Sequence, residues 1–194
     1  MKLLFASNNK NKVNEIRALL PDGFELLGLN DIHFSDEIVE SANTYEGNAL
    51  IKAKTIFEKT GIPCFADDSG LSVDSLGGAP GVYSARYAGP EKNDEANCQK
   101  LIDVLEHHNN RSAQFITVIA FVNEMGHYFF TGKIEGEIIH EKRGQNGFGY
   151  DPLFVPKGWT KTFAEVSKED KNEISHRALA FRSFMKFLNN VNKK

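Results

Sequence analysis

Ile62-Pro63-Cys64-Phe65-Ala66-Asp67-Asp68-Ser69-Gly70 sets a short apolar run directly before two carboxylates and a hydroxyl. The run reads as a buried strand, so the acids are expected where the chain leaves a sheet and its side chains first reach solvent. Sheet ends are where α/β proteins bind ligands. Adjacent acids repel unless a cation, a shared proton or hydrogen bonds compensate, and hard divalent cations favour oxygen ligands of this kind. Taken alone, the pair is better read as a turn or a helix cap beside a solvated acid, and only other motifs displace that plainer reading.

Upstream, residues 3–6 read as a first strand, and the polar run Ser7-Asn8-Asn9-Lys10-Asn11-Lys12 turns into a helix with Val13, Ile16, Leu19 and Leu20 at helical spacing. A short strand over 24–27 and an acidic loop over 35–41 follow. A helix then starts near Thr44, carries Glu46 in its first turn, presents Ala49, Ala53, Ile56 and Phe57 on one face and stops at Gly61. Downstream of the tetrad come a separate short strand over 71–73, a Gly- and Pro-rich loop over 77–87, and a helix over about 94–106 with Leu101, Val104 and Leu105 inward. Residues 113–122 and 127–139 read as a hairpin joined through Asn123-Glu124-Met125-Gly126. A glycine-rich loop over 144–152, a strand over 153–155 and a final amphipathic helix over about 174–189 complete the chain. No repeat or linker separates independent domains, so residues 1–194 are expected to form one domain, with room for two lobes.

The formal net charge of −3 and a pI near 6.1 argue against a broad duplex-binding surface, which needs many Lys and Arg contacts to phosphate, and leave a phosphorylated small molecule open. Two cysteines, Cys64 and Cys98, give neither a metal-ligand spacing nor a disulfide framework, which fits a reduced, cytoplasmic chain. No segment has the length of a secretory or membrane-spanning apolar stretch, so the expectation is a protein with neither membrane nor nucleic acid as partner.

Three loops can carry chemistry. The turn from Ser7 to Lys12 has a phosphate site's layout: helix N-terminal amides and dipole favour an anion, and Lys12, with Lys10, adds a mobile charge. It lacks the glycines of a Walker or dinucleotide loop, and a capped helix start reads the same way. In Gly147-Phe148-Gly149-Tyr150-Asp151-Pro152 the glycines let backbone approach a flat ligand while Phe148 or Tyr150 stacks on it; an aromatic plug in a turn is the alternative. In Lys171-Asn172-Glu173-Ile174-Ser175-His176-Arg177, Ser175 can cap the last helix, which leaves His176 and Arg177 in its first turn, with Lys171 just outside. Cations there oppose the helix dipole, which calls for a functional reason or an acidic partner.

Together with Phe65-Ala66-Asp67-Asp68-Ser69-Gly70-Leu71 and Leu76-Gly77-Gly78-Ala79-Pro80-Gly81-Val82-Tyr83-Ser84-Ala85-Arg86-Tyr87, these runs resemble the inosine triphosphate pyrophosphatase family, also described as dITP/XTP pyrophosphatases. They occur in the family's order across almost the whole chain. The resemblance implies an α/β fold with a long twisted mixed sheet flanked by helices, two lobes with a central cleft, and a homodimer. It also implies Mg2+-dependent hydrolysis of ITP, dITP and XTP to the monophosphate and pyrophosphate. Carried over by position, Ser7, Asn8, Asn9, Lys10, Asn11 and Lys12 would bind triphosphate, Asp68 would be the catalytic base and a metal ligand, and Ser69 would contact substrate. Phe148, Gly149, Tyr150, Asp151, Lys171, His176 and Arg177 would complete the nucleotide site, and Glu40 would be a metal-associated acid beside Asp68 and Asp67. Ser7-Asn8 stands where many relatives start Thr-Gly-Asn, and Tyr150 where some have Trp.

On this reading Lys12 and Lys171 stabilise the leaving pyrophosphate, and donors such as His176 or Arg177 bind the C6 oxygen of hypoxanthine or xanthine and reject the adenine amino group. Two rivals share the same loops: a Maf-like pyrophosphatase of modified pyrimidine triphosphates, and a nucleotide-sensing protein without hydrolysis. A triphosphate binder gains little from added carboxylates without a metal, which disfavours the sensor.

Overall fold

A computed structural model describes residues 2–191. The strands are β1 (Lys2–Phe5), β2 (Glu25–Leu27), β3 (Cys64–Val73), β4 (Ser112–Asn123), β5 (Gly126–Ile138) and β6 (Phe154–Pro156), in the order β2-β1-β3-β4-β5-β6 within one sheet. β1 pairs in parallel with both β2 and β3, whereas β5 and β6 run antiparallel, so the sheet is mixed as expected. The helices are α1 (Lys10–Leu19), α2 (Tyr45–Thr60), α3 (Asp94–Val104), α4 (Lys168–Ile174) and α5 (His176–Val191).

The chain divides into two compact units, one of residues 1–68, 117–132 and 177–194, the other of residues 69–116 and 133–176. In the first unit the sheet is buried on both faces. One face packs Phe5, Phe65, Ile119 and Phe121 against Ile16 of α1 and Phe181 and Phe184 of α5, with the Phe5 and Phe65 rings stacked at 4.7 Å. The other packs Leu4, Cys64, Ala66 and Ala120 against Ala49, Ala53 and Ile56 of α2. A strand sending alternate residues to opposite faces produces this division, Cys64 and Ala66 to α2 and Phe65 to α5. The second unit closes its own core around Leu71, Leu101, Phe115, Tyr150, Phe154 and Phe163.

Caps set the helix bounds. Thr44 accepts the Gly47 N–H at 3.1 Å to start α2, and Gly61, at φ 67°, ends it in the left-handed conformation that favours glycine. Three expectations need correction. The strand before the tetrad and the one after it are a single element: β3 runs through Asp67, Asp68 and Ser69, so the acids sit inside the strand rather than at its exit. Cations at Asp67 and an amide at Asp68 make that tolerable. The last helix, α5, begins at His176 close to its expected start, but a separate short helix that the periodicity did not reveal, α4, precedes it, contains Lys171 and ends at Ser175 where ψ is 151°. Val104 points outward, 39% exposed, while Leu101 and Leu105 are buried.

Candidate functional site

Because β3 alternates, the neighbours Asp67 and Asp68 face opposite sides of the sheet and enter different surroundings. Asp67 faces α1 and α5. Its Oδ2 lies 3.0 Å from Lys12 Nζ and accepts from Arg177 Nε at 3.2 Å, and a second guanidinium nitrogen of Arg177 donates to Glu15. Arg177, 2% exposed, is thus held between two carboxylates, and α1 contributes both Lys12 and Glu15, one helical turn apart. Burial works to raise the Asp67 pKa, but the adjoining Lys12 and Arg177 cations overcome it and hold the carboxyl well below the usual range. Burial likewise opposes the Arg177 charge, and Glu15 and Asp67 raise its pKa despite it. The expected mobile Lys12 is therefore fixed in an ion pair, the expected metal ligand Asp67 is neutralised by cations, and Arg177 carries the acidic partner that its place in a helix's first turn called for.

Asp68 faces α2. Its Oδ2 accepts from Asn48 Nδ2 at 3.1 Å, and Asn48 Oδ1 accepts the Ala42 N–H at 3.0 Å, which ties the loop before α2 to the strand. Four residues further along the helix, Lys52 Nζ donates to Glu40 Oε1 at 2.7 Å. The Asp68 carboxyl is pushed above its ordinary pKa, chiefly by burial; Glu40 adds to the rise, while Lys52, Lys12 and the Asn48 bond oppose it. Asn48 and Lys52 escaped the sequence reading, although an asparagine and a lysine spaced i, i+4 beside the apolar stripe of Ala49, Ala53 and Ile56 are a legible signal of a polar function on a buried helix.

Asp68 and Glu40 suit a hard divalent cation by donor chemistry. Among the described residues no group of three or more His, Cys, Asp or Glu could hold a metal. This donor set fits a small hydrated cation bound by one or two carboxylates together with substrate phosphates, rather than an all-protein cage.

The Ser7 to Lys12 turn opens α1 as expected, but its first amides are already engaged. Asn9 is the N-cap and accepts the Asn11 and Lys12 N–H groups at 3.0 and 3.2 Å, while Ser7 Oγ accepts the Asn9 N–H at 3.3 Å. A phosphate at this helix start would exchange with the Asn9 carboxamide oxygen.

The second unit holds the remaining expected residues. Asp151 Oδ2 accepts from the Phe148 N–H at 2.9 Å and from Lys171 Nζ at 2.6 Å, and the ammonium also stands 4.9 Å from the Phe148 ring and 5.5 Å from the Phe163 ring. Lys171 and Asp151 are buried, so this is a desolvated ion pair flanked by aromatic faces. Gly147, at φ 77°, is required here, because a Cβ would fall 2.0 Å from Asp151 Oδ2. Tyr150 does not offer its ring for stacking, since it is buried and its hydroxyl donates to the Ser84 carbonyl at 2.8 Å, whereas Phe148 is half-buried. The His176 ring lies flat on Phe115, centroids 4.7 Å apart, and Ser69 is half-buried in β3.

Comparison with known proteins identifies the family. The model of the Ham1 family matches residues 3–187. A Flavobacterium johnsoniae protein named dITP/XTP pyrophosphatase is 53% identical over 97% of this chain and 98% of its own length. A Christiangramia forsetii protein of the same name is 52% identical over 97% and 99%. The solved structure of the Staphylococcus aureus Ham1 protein superposes with a TM-score of 0.90 at 40% identity, covering 98% of this chain and 99% of that one.

Proposed function

The chain belongs to the Ham1 family, and from that premise we propose that it hydrolyses non-standard purine nucleoside triphosphates (ITP, dITP and XTP) to the monophosphate and pyrophosphate, which cleanses the nucleotide pool. The observation that carries the reading is Asp68: a buried carboxylate with a raised pKa, oriented by Asn48 and set among Glu40, Lys52 and Lys12. A carboxyl made more basic by its surroundings suits a general base, and fixed cations beside it suit a polyphosphate.

In this mechanism Asp68 takes a proton from the water that attacks the α-phosphorus. The new bond joins the water oxygen to that phosphorus, the bond from it to the bridging oxygen of the β-phosphate breaks, and pyrophosphate leaves with the electron pair. Asn48 keeps the carboxylate aimed, and Lys52 offsets negative charge beside it. Glu40 and Asp68 would hold Mg2+, which supplies neutralisation of the charge on the triphosphate oxygens when bound. A cation at Glu40 must share that carboxylate with Lys52.

The roles of Ser7, Asn8, Asn9, Lys10, Asn11, Lys12, Ser69, Phe148, Gly149, Tyr150, Asp151, Lys171, His176 and Arg177 at the substrate are part of the proposal. Lys12 and Arg177 also hold Asp67, and the Tyr150 hydroxyl anchors its turn to the Ser84 carbonyl. The family model spans both compact units, which supports one functional domain over 1–194. A homodimer and a cytoplasmic setting complete the reading. No helix among the described residues is long and apolar enough to cross a membrane.

Incubation with ITP, dITP, XTP, GTP, ATP and dUTP, with and without Mg2+, tests substrate, bond and metal together. Inosine or xanthosine monophosphate plus pyrophosphate, formed only with the metal, is expected. Nucleoside diphosphate plus orthophosphate would place the attack at the γ-phosphorus and overturn the mechanism, and preferred turnover of dUTP would overturn the purine assignment.

A further inference from the structure

Gly149 stands between Phe148 and Tyr150 at φ 60°, a conformation that glycine adopts freely but does not enforce. Restraint comes from α3. Asp94 Oδ2 accepts the Gly149 N–H at 2.7 Å, and Cys98, one turn further on the same helix face, directs Sγ at the Gly149 carbonyl, 3.3 Å away. The peptide groups on both sides of this glycine are therefore gripped by side chains at i and i+4 of one helix. Asp151 holds the Phe148 N–H, and the Tyr150 hydroxyl anchors the far side of the turn to Ser84. The direction of the half-buried Phe148 ring is set by these main-chain anchors, because a ring has only two side-chain torsions once its backbone is fixed.

An acid at the first position of α3 is accounted for by the helix dipole alone, and Glu95 beside it serves that role too. The bond to Gly149, a residue 55 positions away in sequence, is not. Exposed Asp94 thus reaches out of its own element to fix the turn that carries the stacking ring.

We infer that Asp94, with Cys98 beneath it, is a positioning residue that sets affinity for the substrate's flat purine by fixing how Phe148 is presented, without acting on the bond-breaking step. The inference rests on the proposed stacking of the base on Phe148.

The experiment measures kcat and KM for ITP, and the calorimetric Kd for inosine monophosphate, in the wild type, Asp94→Ala, Asp94→Asn, Phe148→Ala and the Asp94→Ala/Phe148→Ala double variant, each with its unfolding midpoint. Asp94→Ala is expected to raise KM and Kd about tenfold with kcat within about twofold, the pattern of lost uniform binding. Asp94→Asn keeps an acceptor oxygen and should restore both constants to within about threefold of the wild type. In the Phe148→Ala background the Asp94 substitution should change either constant by less than about twofold, because the ring it aims is gone. Should Asp94→Ala fail to fold, Cys98→Val, which removes only the thiol contact, is expected to raise KM about threefold. A fall in kcat at unchanged KM, unchanged constants in Asp94→Ala, or an undiminished effect in the double variant overturns the inference. If the wild type binds inosine monophosphate but leaves ITP intact, the proposed reaction fails while the Kd series still decides the clamp. No binding by the wild type overturns both.

Discussion

Asp67 and Asp68 share a strand, a residue type and an exposure below one tenth, yet the structure treats them oppositely. On the α1 and α5 side, Asp67 meets Lys12 and Arg177 and is held ionised. On the α2 side, Asp68 meets an amide, a nearby carboxylate and a lysine already shared with Glu40, and burial leaves its pKa raised. The first carboxylate is a structural counter-ion; the second is kept basic. The lesson is that function in an acidic pair comes from the partners on each face of a strand, since the side-chain chemistry is identical.

The largest expected effect breaks the reactive side. Asp68→Asn should lower kcat/KM by at least about 10³-fold, the upper range for loss of a general base, while the unfolding midpoint stays level or rises because a buried charge is removed. A variant retaining a tenth of wild-type turnover would remove Asp68 from the role of base.

Asp67→Asn should do the reverse, costing about 3 kcal/mol of stability by removing the carboxylate that Lys12 and buried Arg177 share. Its pH dependence gives the sign. The folded pKa of Asp67 is depressed, so its stabilisation is complete above the unfolded value of about 3.9 and fades as pH falls through the folded value. In metal-free denaturant titrations the wild type should therefore lose its advantage over Asp67→Asn only below about pH 4. A gap that closes between neutrality and pH 5 would contradict the assignment.

Asn48→Ala removes the amide that aims Asp68 and should cost about tenfold in kcat/KM, with little change in KM, as expected for one buried hydrogen bond to a charge. The finest test concerns the Asp68 carboxyl of the metal-free protein, followed by NMR titration. Its pKa should lie above the ordinary carboxylate range, move higher in Lys52→Met, which removes a charge that lowers it, and move lower in Glu40→Gln. Shifts in the opposite directions would show that other groups set it.

Much of this molecule is legible before folding. Period-2 and helical spacing placed β1, β4, β5, α1, α2 and α3 close to their observed bounds, because each buries an apolar face large enough to leave a pattern. The tetrad misled for a physical reason: two acids within a strand look like its end unless their partners are known, and Lys12, Glu15 and Arg177 lie more than 50 residues away from them. α4 is too short and polar to announce itself, since its seven residues, Lys-Glu-Asp-Lys-Asn-Glu-Ile, carry one apolar side chain. Tyr150 could be read as a stacking ring or a core plug, and only the Ser84 carbonyl at its hydroxyl decides for the core.

The amino-acid order by itself determined the α/β class, because local periodicity is a property of neighbouring residues, and the order of its motifs carried the resemblance that makes Asp68 the expected base. Tertiary structure alone decided which acid is neutralised and which is left basic, that Lys12 and Arg177 serve Asp67, and that Asn48 and Lys52 attend the Asp68 side. Charge pairing and desolvation act through space, over a few ångströms between residues that the chain keeps far apart.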